Sequence, residues 1–302
     1  MTGRLCEGRV VLVTGAGRGL GREHALAFAA AGARVLVNDL GAEPDGSGGS
    51  SGPAAEVVET IRAAGGQAEL DGHDVADWAG AAAMVSTAVE TFGGLDVVVN
   101  NAGFVRDRMV VGLSEDEWDA VVRVHLKGHA AVLHHAAGHW RAEAKAGRTP
   151  EARVINTTSG AGLLGSVGQG AYAAAKAGIV GLTLVAAQEL ARYGVTVNAI
   201  APAARTRMTE GLFESMQPVE TGFDEMDPAN VSPLVVWLGS ERSGRVTGRV
   251  FEVQGGSIGL ATGWRHGPTI DQQARWDPAD LDEVVASLLA DGPEPLPVYG
   301  AG

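Results

Sequence analysis

Residues 10–39 read VVLVTGAGRGLGREHALAFAAAGARVLVND, and this stretch decides the fold. Residues 10–13 form a short apolar, β-branched run, which is typical of a strand buried on both faces. Apolar residues at helical spacing follow the glycines, and a second β-branched run covers residues 35–37. The order strand, helix, strand predicts a parallel α/β unit.

The turn between the first strand and the helix is rich in glycine, with Gly15, Gly17, Gly19 and Gly21 in eight residues that also hold Arg18. Glycine lets the backbone turn tightly and approach a pyrophosphate closely, and the helix N-terminus offers free N–H groups. Because a strand precedes this turn and an acidic residue ends the next strand, the pattern predicts a dinucleotide-binding site.

Asp39, at the end of the second strand, bears on which dinucleotide is bound. A carboxylate there can accept hydrogen bonds from the adenosine ribose hydroxyls and would repel the extra phosphate of NADP. Arg18 argues the other way, since a basic residue in the glycine-rich turn could pair with that phosphate. We expect NAD as the cofactor, with NADP as the alternative.

Tyr172 and Lys176 lie four residues apart in GQGAYAAAKAG, which puts both side chains on one face of a helix. A phenol beside an ammonium group loses its proton more easily than a free phenol, whose pKa is about 10. Tyr172 is therefore a candidate general acid and base, tuned by Lys176. Taken alone, the pair would be better explained as an ordinary surface tyrosine and lysine, and it is the glycine-rich turn that favours the catalytic interpretation.

Together, TGAGRGLG at residues 14–21, NNAG at residues 100–103, Ser159 and YAAAK resemble the short-chain dehydrogenase/reductase family over residues 5–262. The resemblance implies a Rossmann-type, doubly wound parallel α/β sheet of about seven strands, covered by helices on both faces. It implies that Ser159 hydrogen-bonds the substrate oxygen and that Tyr172 exchanges a proton with it. Lys176 would hold the nicotinamide ribose and lower the tyrosine pKa.

The resemblance also implies the remaining cofactor contacts. Leu20 would lie along the pyrophosphate, Asp74 and Val75 would bind the adenine, and Asn101 would lie near the adenosine or its ribose. Thr206 is a candidate contact to the nicotinamide amide. In full, the expected cofactor-binding residues are Gly15, Arg18, Gly19, Leu20, Gly21, Asp39, Asp74, Val75, Asn101, Ala102, Gly103, Tyr172, Lys176, Pro202 and Thr206.

The chain departs from the family in the helix before the catalytic strand, where many members carry an asparagine that helps to hold a water of the proton relay. His125 takes that place within VVRVHLKGH. A histidine satisfied by a neighbouring group would be purely structural. Because histidine can hydrogen-bond a water and titrate near neutral pH, a catalytic relay role is the alternative.

One branch of the family resembles the chain in more detail: the (3R)-hydroxyacyl-CoA dehydrogenase domain of the peroxisomal multifunctional enzyme, also called 17β-hydroxysteroid dehydrogenase type 4. That branch also has a histidine here, a glycine-rich insert like residues 39–66, an Arg-Asp-Arg triplet like residues 106–108, and a shortened segment like residues 201–209. The resemblance implies a 3-hydroxyacyl-CoA or a hydroxysteroid as substrate. Another small or cyclic alcohol, or a 3-oxoacyl carrier protein, is the alternative.

Two other classes of protein explain the motifs less well. A non-enzymatic NAD-binding protein would keep the glycine-rich turn but would usually lose the serine, tyrosine or lysine. A methyltransferase can share the turn and the acid, but it would have no use for Ser159, Tyr172 and Lys176 together. We therefore expect an oxidoreductase that interconverts a secondary alcohol and a ketone.

The acidic composition limits the possible partners. The formal net charge is −13, which disfavours non-specific binding to nucleic acid. An anionic CoA substrate would then need local positive charge, for which Arg106, Arg108, Arg205 and Arg207 are the candidates. Most such arginines are simply solvated or paired.

Cys6 is the only cysteine, so no intramolecular disulfide can form. No charge-free apolar stretch approaches the roughly 20 residues of a membrane span, and no secretory signal is evident. We expect a cytoplasmic protein that binds no membrane and no metal. The family resemblance implies a homodimer or a homotetramer.

Three segments are less well determined by the sequence. The Gly- and Ser-rich residues 41–55 are expected to form a surface loop or a flap over the adenosine end. The family resemblance implies that the segment after the sixth strand forms a substrate lid. Its apolar wall or, equally, ordinary packing would then use Leu212, Phe213, Met216 and Phe223. Residues 263–302 extend past the catalytic domain at residues 1–262, and their amphipathic helix should dock on the body or on another subunit.

Four later strands are predicted from short apolar runs that alternate with helical segments. They cover residues 95–100, 153–157, 196–200 and 249–253.

Overall fold

A computed structural model describes residues 4–41, 48–205, 222–294 and 296–299. The strands are β1 (Val10–Thr14), β2 (Arg34–Asn38), β3 (Gln67–Asp71), β4 (Val97–Asn100), β5 (Arg153–Thr157), β6 (Thr196–Ala203), β7 (Val250–Gln254) and β8 (Ser257–Leu260). They form one eight-stranded sheet in the order β3-β2-β1-β4-β5-β6-β7-β8. Strands β1 to β7 are parallel, and β8 runs antiparallel to β7.

Helices connect the parallel strands and cover both faces of the sheet. They are α1 (Gly19–Ala30), α2 (Gly52–Ala63), α3 (Trp78–Phe92), α4 (Glu115–Val122), α5 (Gly128–Lys145), α6 (Gly160–Leu164), α7 (Gly170–Leu190), α8 (Ser232–Gly239) and α9 (Leu281–Asp291). Phe28 of α1 and Leu238 of α8 belong to the core on one face of the sheet. Met84 of α3 and Trp140 of α5 belong to the core on the other face. The predicted doubly wound α/β fold is confirmed.

The sequence predictions of the parallel strands agree with the structure to within a few residues. The β-branched runs form them because both faces of the strands are buried, as the fully buried β1, β4 and β5 illustrate. Strand β8 was not predicted. Its four residues are all exposed, so they carry little of the apolar pattern that marks a buried strand.

Helix α4 begins with a capping box, in which the Ser114 hydroxyl accepts the Glu117 N–H and the Glu117 carboxylate accepts the Ser114 N–H. The same helix continues into a π-helical turn over Arg123–Lys127 before α5 begins. A π turn inserts one extra residue into a helix, and such turns are frequent at functional sites. This turn carries His125.

Helix α7 and the turn after it (Gly170–Tyr193) are long and apolar enough, by composition alone, to cross a membrane. This is weak evidence, because core helices of the same composition pass the same test. Here Ile179 and Ala187 of the helix are buried against the rest of the chain. We therefore assign α7 to the fold as a helix that covers the sheet.

Beyond β8 the chain runs over the surface. A turn at Pro278–Asp280 begins where the Asp277 carboxylate accepts the Ala279 N–H, 3.0 Å away, and α9 follows as predicted. None of the residues of α9 is buried by the described part of the chain. Leu281, Val284 and Leu288 of its apolar face are half-buried, so the expected docking of this face is incomplete within the described residues.

Candidate active site

The candidate site lies at the carboxyl ends of the parallel strands, where the sheet order reverses. Strand β1 is flanked by β2 on one side and by β4 on the other. The connections that leave β1 and β4 therefore run to opposite sides of the sheet, and a crevice opens between them. The glycine-rich turn follows β1, the NNAG segment follows β4, and Ser159 follows β5 by two residues. The structure thus brings the three sequence motifs to one edge of the sheet.

The glycine-rich turn is too tightly packed for larger residues. Gly15 has a φ of +64°, and a Cβ atom there would lie 2.7 Å from the Cα of Ala102. A Cβ atom on Gly21 would lie 2.1 Å from the carbonyl oxygen of Gly15. Gly19 and Leu20 open helix α1, whose N-terminal N–H groups face the turn. The turn therefore forms a cradle with exposed backbone donors, as an anionic pyrophosphate requires.

Asp39 and Arg18 flank this cradle. The Asp39 carboxylate accepts the N–H groups of Gly17, at 2.7 Å, and of Gly41, at 2.5 Å, which fixes its orientation beside the turn. Arg18 is the N-cap residue of α1, and its buried Nη1 atom has no hydrogen-bond partner. A buried guanidinium nitrogen without a partner favours an anion at this place. The residues present therefore fit a dinucleotide.

Asn101 braces the turn from the neighbouring strand. Its side-chain amide donates to the carbonyl oxygens of Thr14 and Gly15, at 3.0 and 3.1 Å. The Thr14 hydroxyl in turn accepts the N–H groups of Asn101 and Ala102. Since the amide hydrogens of Asn101 are used within the chain, its predicted contact with the adenosine stays a prediction.

The proposed adenine-binding pair lies after β3. The Asp74 carboxylate accepts the Ala76 N–H at 2.8 Å and forms an ion pair with Arg123, at 2.5 Å. Val75 is buried and packs against Gly128, where an added Cβ atom would lie 2.8 Å from its Cγ2 atom. The ion pair of Asp74 thus connects the segment after β3 to the π-helical turn.

Ser159, Tyr172 and Lys176 converge beyond the end of β5. The Ser159 hydroxyl is the N-cap of α6 and accepts the Ala161 N–H at 3.2 Å, and it also hydrogen-bonds Tyr172. Lys176 is buried, and its Nζ atom donates to the Thr157 carbonyl oxygen at 2.7 Å. The same Nζ atom lies 5.5 Å from the centre of the Tyr172 ring.

The pKa values of this group differ from the expectation. Burial raises the pKa of Tyr172 to about 12, and the hydrogen bond with Ser159 only partly opposes it. Burial also lowers the pKa of Lys176 to about 7. The expectation that Lys176 lowers the tyrosine pKa is therefore not met in the chain by itself, because desolvation of the phenol outweighs the other contributions.

His125 is buried, and the π-helical turn points it toward the tyrosine. Its Nε2 atom lies 2.6 Å from the carbonyl oxygen of Phe104 and 3.1 Å from the Phe104 nitrogen. The shorter contact favours an Nε2–H that donates to the carbonyl, which leaves Nδ1 as an acceptor with no partner. A Cβ atom on Gly103 would lie 2.2 Å from the ring, so this approach requires glycine.

The relay alternative for His125 drew on titration near neutral pH, which the surroundings of this histidine oppose. Burial, followed by the charge of Lys176, lowers the pKa of His125 well below its ordinary value of 6.5. The same two causes, burial first, lower the pKa of buried His129 to about 3. Both imidazoles are therefore neutral at pH 7, and His125 can act there only through hydrogen bonds and packing.

The remaining predicted residues belong to β6 and to the segments around it, which the structure describes only in part. Pro202 lies in β6, opposite Val253 of β7. Thr206 and Arg207, together with Leu212, Phe213 and Met216 of the expected lid, lie outside the described residues, as do residues 42–47 of the glycine-rich insert. Phe223 is described and is 65% exposed.

The candidate arginines for an anionic substrate have partners in the chain. Arg108 forms an ion pair with Glu117 at 2.8 Å, and Arg205 pairs with Asp224. The guanidinium of Arg106 lies 5.4 Å from the centre of the Phe104 ring. In the described parts of the chain, no cluster of three or more His, Cys, Asp or Glu residues could hold a metal ion.

Tyr299 is a residue of the site that the sequence analysis missed. Its N–H donates to the Gly165 carbonyl oxygen at 2.9 Å, and its ring lies against Gly160, next to Ser159. The only signal in the sequence is an aromatic residue after Pro293, Pro295 and Pro297. Such a signal does not say where the segment folds back.

Comparison with known proteins settles the family. Residues 9–217 match the short chain dehydrogenases. The chain belongs to the short chain dehydrogenase family. A crystal structure of a short chain dehydrogenase from Mycobacterium avium is 63% identical and gives a TM-score of 0.89, covering 98% of this chain and 100% of that one.

Two curated relatives add detail about this short chain dehydrogenase. The chain is 42% identical to the hydroxyacyl-CoA dehydrogenase ChsB1 of Mycobacterium tuberculosis, over 98% of this chain and 92% of the relative. It is 44% identical to the peroxisomal multifunctional enzyme type 2 of Mus musculus, over 84% of this chain. The matched region is only 32% of that longer protein.

Membership of the family confirms the predicted class of activity. The enzyme is an oxidoreductase that acts on CH–OH donors with a nicotinamide cofactor. The resemblance to the branch of the peroxisomal multifunctional enzyme is also confirmed, since relatives of that name are 42 to 44% identical to this chain.

Proposed function

We propose that this short chain dehydrogenase is an NAD-dependent 3-hydroxyacyl-CoA dehydrogenase that interconverts the C3 alcohol and ketone of an acyl-CoA thioester. The observation that carries the proposal is the convergence of Ser159, Tyr172 and Lys176 beside the glycine cradle. The substrate is supported by the 42% identity to the hydroxyacyl-CoA dehydrogenase of Mycobacterium tuberculosis over almost the whole chain.

Each member of the group has a role that follows from its contacts. The Ser159 hydroxyl accepts the Ala161 N–H, and its hydrogen, which in the chain alone is donated to the Tyr172 phenol, would be shared with the substrate oxygen when substrate binds. Tyr172, hydrogen-bonded to Ser159, removes the hydroxyl proton during oxidation and returns it during reduction. The Lys176 ammonium group donates to the Thr157 carbonyl oxygen, which holds it 5.5 Å from the centre of the Tyr172 ring.

For Tyr172 to act as a base near neutral pH, its pKa must fall from about 12. A bound oxidised nicotinamide cofactor supplies the hydride acceptor and a positive charge that favours the phenolate. Protonated Lys176 adds to this effect, and its own pKa of about 7 makes its charge sensitive to what is bound beside it. Neutral His125 holds the ring of Tyr172 in place.

We propose NAD rather than NADP because Asp39 lies beside the turn with its carboxylate fixed by two N–H groups. A fixed carboxylate can accept hydrogen bonds from ribose hydroxyls and repels a phosphate at the same position. The unpartnered nitrogen of Arg18 is the observation that favours NADP. It is equally suited to the pyrophosphate that both cofactors share.

A hydroxysteroid is the second candidate substrate, and another small or cyclic alcohol or a 3-oxoacyl carrier protein are the remaining ones. The acyl-CoA is favoured by the names of the relatives, although the net charge of −13 requires local positive charge for CoA. Arg106 and Arg108 lie on the segment after β4, at the side of the crevice, and are the candidates for that charge.

We also propose that the enzyme is a homodimer or a homotetramer. Supporting this, Leu184 and Val185 on α7 and Leu289 on α9 are between 47 and 74% exposed. Contiguous exposed apolar surface marks protein–protein contacts, and Leu184 and Val185 are neighbours on α7. Analytical ultracentrifugation of the purified protein tests the assembly directly.

The experiment that tests the function measures NADH formation from (3R)- and (3S)-3-hydroxybutyryl-CoA and from a 17β-hydroxysteroid. Each substrate is offered with NAD and, separately, with NADP. A Tyr172→Phe variant serves as the control for contaminating dehydrogenases, because it keeps the shape of the side chain and removes the phenolic hydroxyl.

Turnover of one hydroxybutyryl-CoA enantiomer with NAD, absent in the variant, would support the proposal. Turnover of the steroid alone would transfer the proposal to the second candidate. If neither substrate reacts while NAD still binds, the acyl-CoA assignment is wrong, and the family's other secondary alcohols become the substrates to test.

A further inference from the structure

We propose that Tyr299 is a specificity-determining residue, whose ring forms the wall of the substrate pocket next to Ser159 and limits the groups that fit on that side of the reacting carbon. The inference rests on the proposed function for its choice of probe substrate. Neither the glycine-rich turn nor the Ser-Tyr-Lys group needs Tyr299 for its own structure. Specific contacts with Gly160 and Gly165 nevertheless bring Tyr299 to the site.

The backbone of Tyr299 is anchored beside the catalytic serine. Its N–H donates to the Gly165 carbonyl oxygen at 2.9 Å, immediately after helix α6. The preceding Val298 also approaches Gly165, where an added Cβ atom would lie 3.7 Å from its Cγ1 atom. Two successive residues therefore contact the loop that leads from Ser159 to Tyr172.

The ring of Tyr299 rests on a position that only glycine can occupy. Gly160 follows Ser159 directly, and a Cβ atom there would lie 2.4 Å from both the Cδ2 and Cε2 atoms of the Tyr299 ring. Any larger residue at Gly160 would displace the ring. Contact this close places the ring against the backbone of the residue that directly follows Ser159.

The phenol of Tyr299 also lies within electrostatic reach of the catalytic phenol. Tyr299 is among the groups that raise the pKa of Tyr172. Its own pKa is raised by burial and then by Glu252, so it is neutral at physiological pH and does not compete as a base. The remaining surface of Tyr299, 43% of its accessible area, is open to a ligand.

Pro297 lowers the conformational entropy that is lost when Tyr299 is held at the site. Pro297 fixes its own φ angle and restricts Leu296 to extended backbone, so the segment that carries Tyr299 loses less entropy when it is held. Leu296 is 72% exposed and adds little packing. The Gly165 hydrogen bond and the ring contact are therefore what hold the segment at the site.

The first test compares kinetic constants for 3-hydroxybutyryl-CoA and for a 3-hydroxyacyl-CoA with a bulky branched chain. Tyr299→Ala should lower kcat/KM for the small substrate roughly 3- to 10-fold, as expected for loss of one aromatic contact, mainly through KM. The bulky substrate should lose less or gain. Tyr299→Phe, which keeps the ring, should behave as wild type, and Ile270→Ala, at another exposed apolar residue, controls for changes elsewhere in residues 263–299.

The second test needs no turnover. The chain has only three tyrosines, so ¹³C labelling at the tyrosine Cζ gives three NMR signals. NADH with 3-hydroxybutyryl-CoA cannot react and should shift the signals of Tyr172 and Tyr299, while Tyr193, which packs on Arg192 beyond α7, should not move. Hydrogen exchange of the Tyr299 amide should be slow in wild type and fast in Gly160→Ala.

The outcomes separate the two proposals. If the wild type does not oxidise the acyl-CoA, the proposed function fails, and the amide exchange still decides whether Tyr299 is seated at Ser159. If the wild type is active but Tyr299→Ala changes neither substrate's kcat/KM, the specificity role is wrong. An amide of Tyr299 that exchanges as fast as an exposed one overturns the inference irrespective of substrate.

Discussion

The ring of His125 stands edge-on to the ring of Tyr172, with centroids 5.2 Å apart and an angle of 89° between the planes. Aromatic rings prefer this arrangement because the positive edge of one faces the negative face of the other. Since Phe104 holds Nε2 of the imidazole from the opposite side, the histidine limits the movement of the tyrosine ring. The π-helical turn therefore serves the site mainly by positioning Tyr172.

His125→Ala should slow turnover by up to roughly 100-fold without unfolding the protein, because small misplacements of a catalytic group have effects of this size. Steady-state kinetics and circular dichroism of the variant measure the two quantities. Normal kcat in a folded variant would mean that neither positioning nor relay by His125 matters.

Gly103→Ala should lower the free energy of unfolding by about 1–3 kcal/mol, the usual cost of overpacking, since its Cβ atom would meet the His125 ring. Combining it with His125→Ala should restore part of the loss. Urea titrations of the single and double variants measure this coupling.

Gly94→Ala is the matched control, because nothing lies within 4 Å of a Cβ atom added at that residue. A loss in Gly103→Ala that the double variant does not relieve would place the strain in the backbone instead of the imidazole.

Tyr172→Phe should reduce turnover by at least roughly 100-fold, the lower range for general acid–base catalysis, while NADH binds almost normally. The phenol hydroxyl is the only group removed, so the packing against His125 remains. Stopped-flow turnover and NADH fluorescence titration measure the two effects, with Tyr193→Phe as the control. A variant that retains most of its turnover would remove Tyr172 from the acid/base role.

Asp39→Ala should reduce the preference for NAD over NADP by roughly 10- to 100-fold, the range for a hydrogen bond to a charged group. Arg18→Ala is the complementary variant and should weaken both cofactors if the guanidinium contacts the pyrophosphate. Ratios of kcat/KM for the two cofactors test both variants. An unchanged ratio in Asp39→Ala would exclude the ribose contact.

Acid should destabilise the fold through buried His24. Burial lowers the pKa of His24 to about 3, so the unfolded chain, whose histidine pKa is 6.5, binds more protons between these values. The free energy of unfolding then falls as the pH drops through this window, by about 1.4 kcal/mol per pH unit for this histidine.

In His24→Asn, which keeps a polar atom near the Ser232 hydroxyl, the slope of stability against pH should be smaller by that amount. Guanidinium titrations at several pH values between 4 and 7 measure it, and exposed His266→Asn should leave the slope unchanged. Equal slopes in wild type and His24→Asn would mean that the imidazole is protonated in the folded state.

The sequence was most informative where local patterns decide the structure. Buried parallel strands need β-branched runs, and a pyrophosphate cradle needs glycine, so β1, β2 and the turn at residues 14–21 were predictable. The π-helical turn was not, because Arg123–Lys127 continue a helical pattern and the extra residue depends on the contact of His125 with Phe104. The position of Tyr299 was not predictable either, because it depends on contacts with Gly160 and Gly165, which lie more than a hundred residues earlier in the sequence.

The pKa values show a similar division. Sequence spacing correctly put Tyr172 and Lys176 on one helix face, but it did not give their depth. The degree of burial decides whether the pKa of Tyr172 rises or falls, since desolvation raises it and a neighbouring cation lowers it. The sequence likewise did not show that His125 is buried, which is why a role that uses titration near neutral pH was considered for it.

Cys6, the one thiol in the chain, is fully buried and contacts the Val236 carbonyl oxygen. Burial raises its pKa to about 11, so almost no thiolate exists at neutral pH and maleimide reagents should leave it unmodified. The natural chain therefore needs no cysteine removal before site-directed labelling. A single cysteine introduced at exposed Leu296 would carry a fluorophore whose anisotropy reports whether the segment that carries Tyr299 stays in place during turnover.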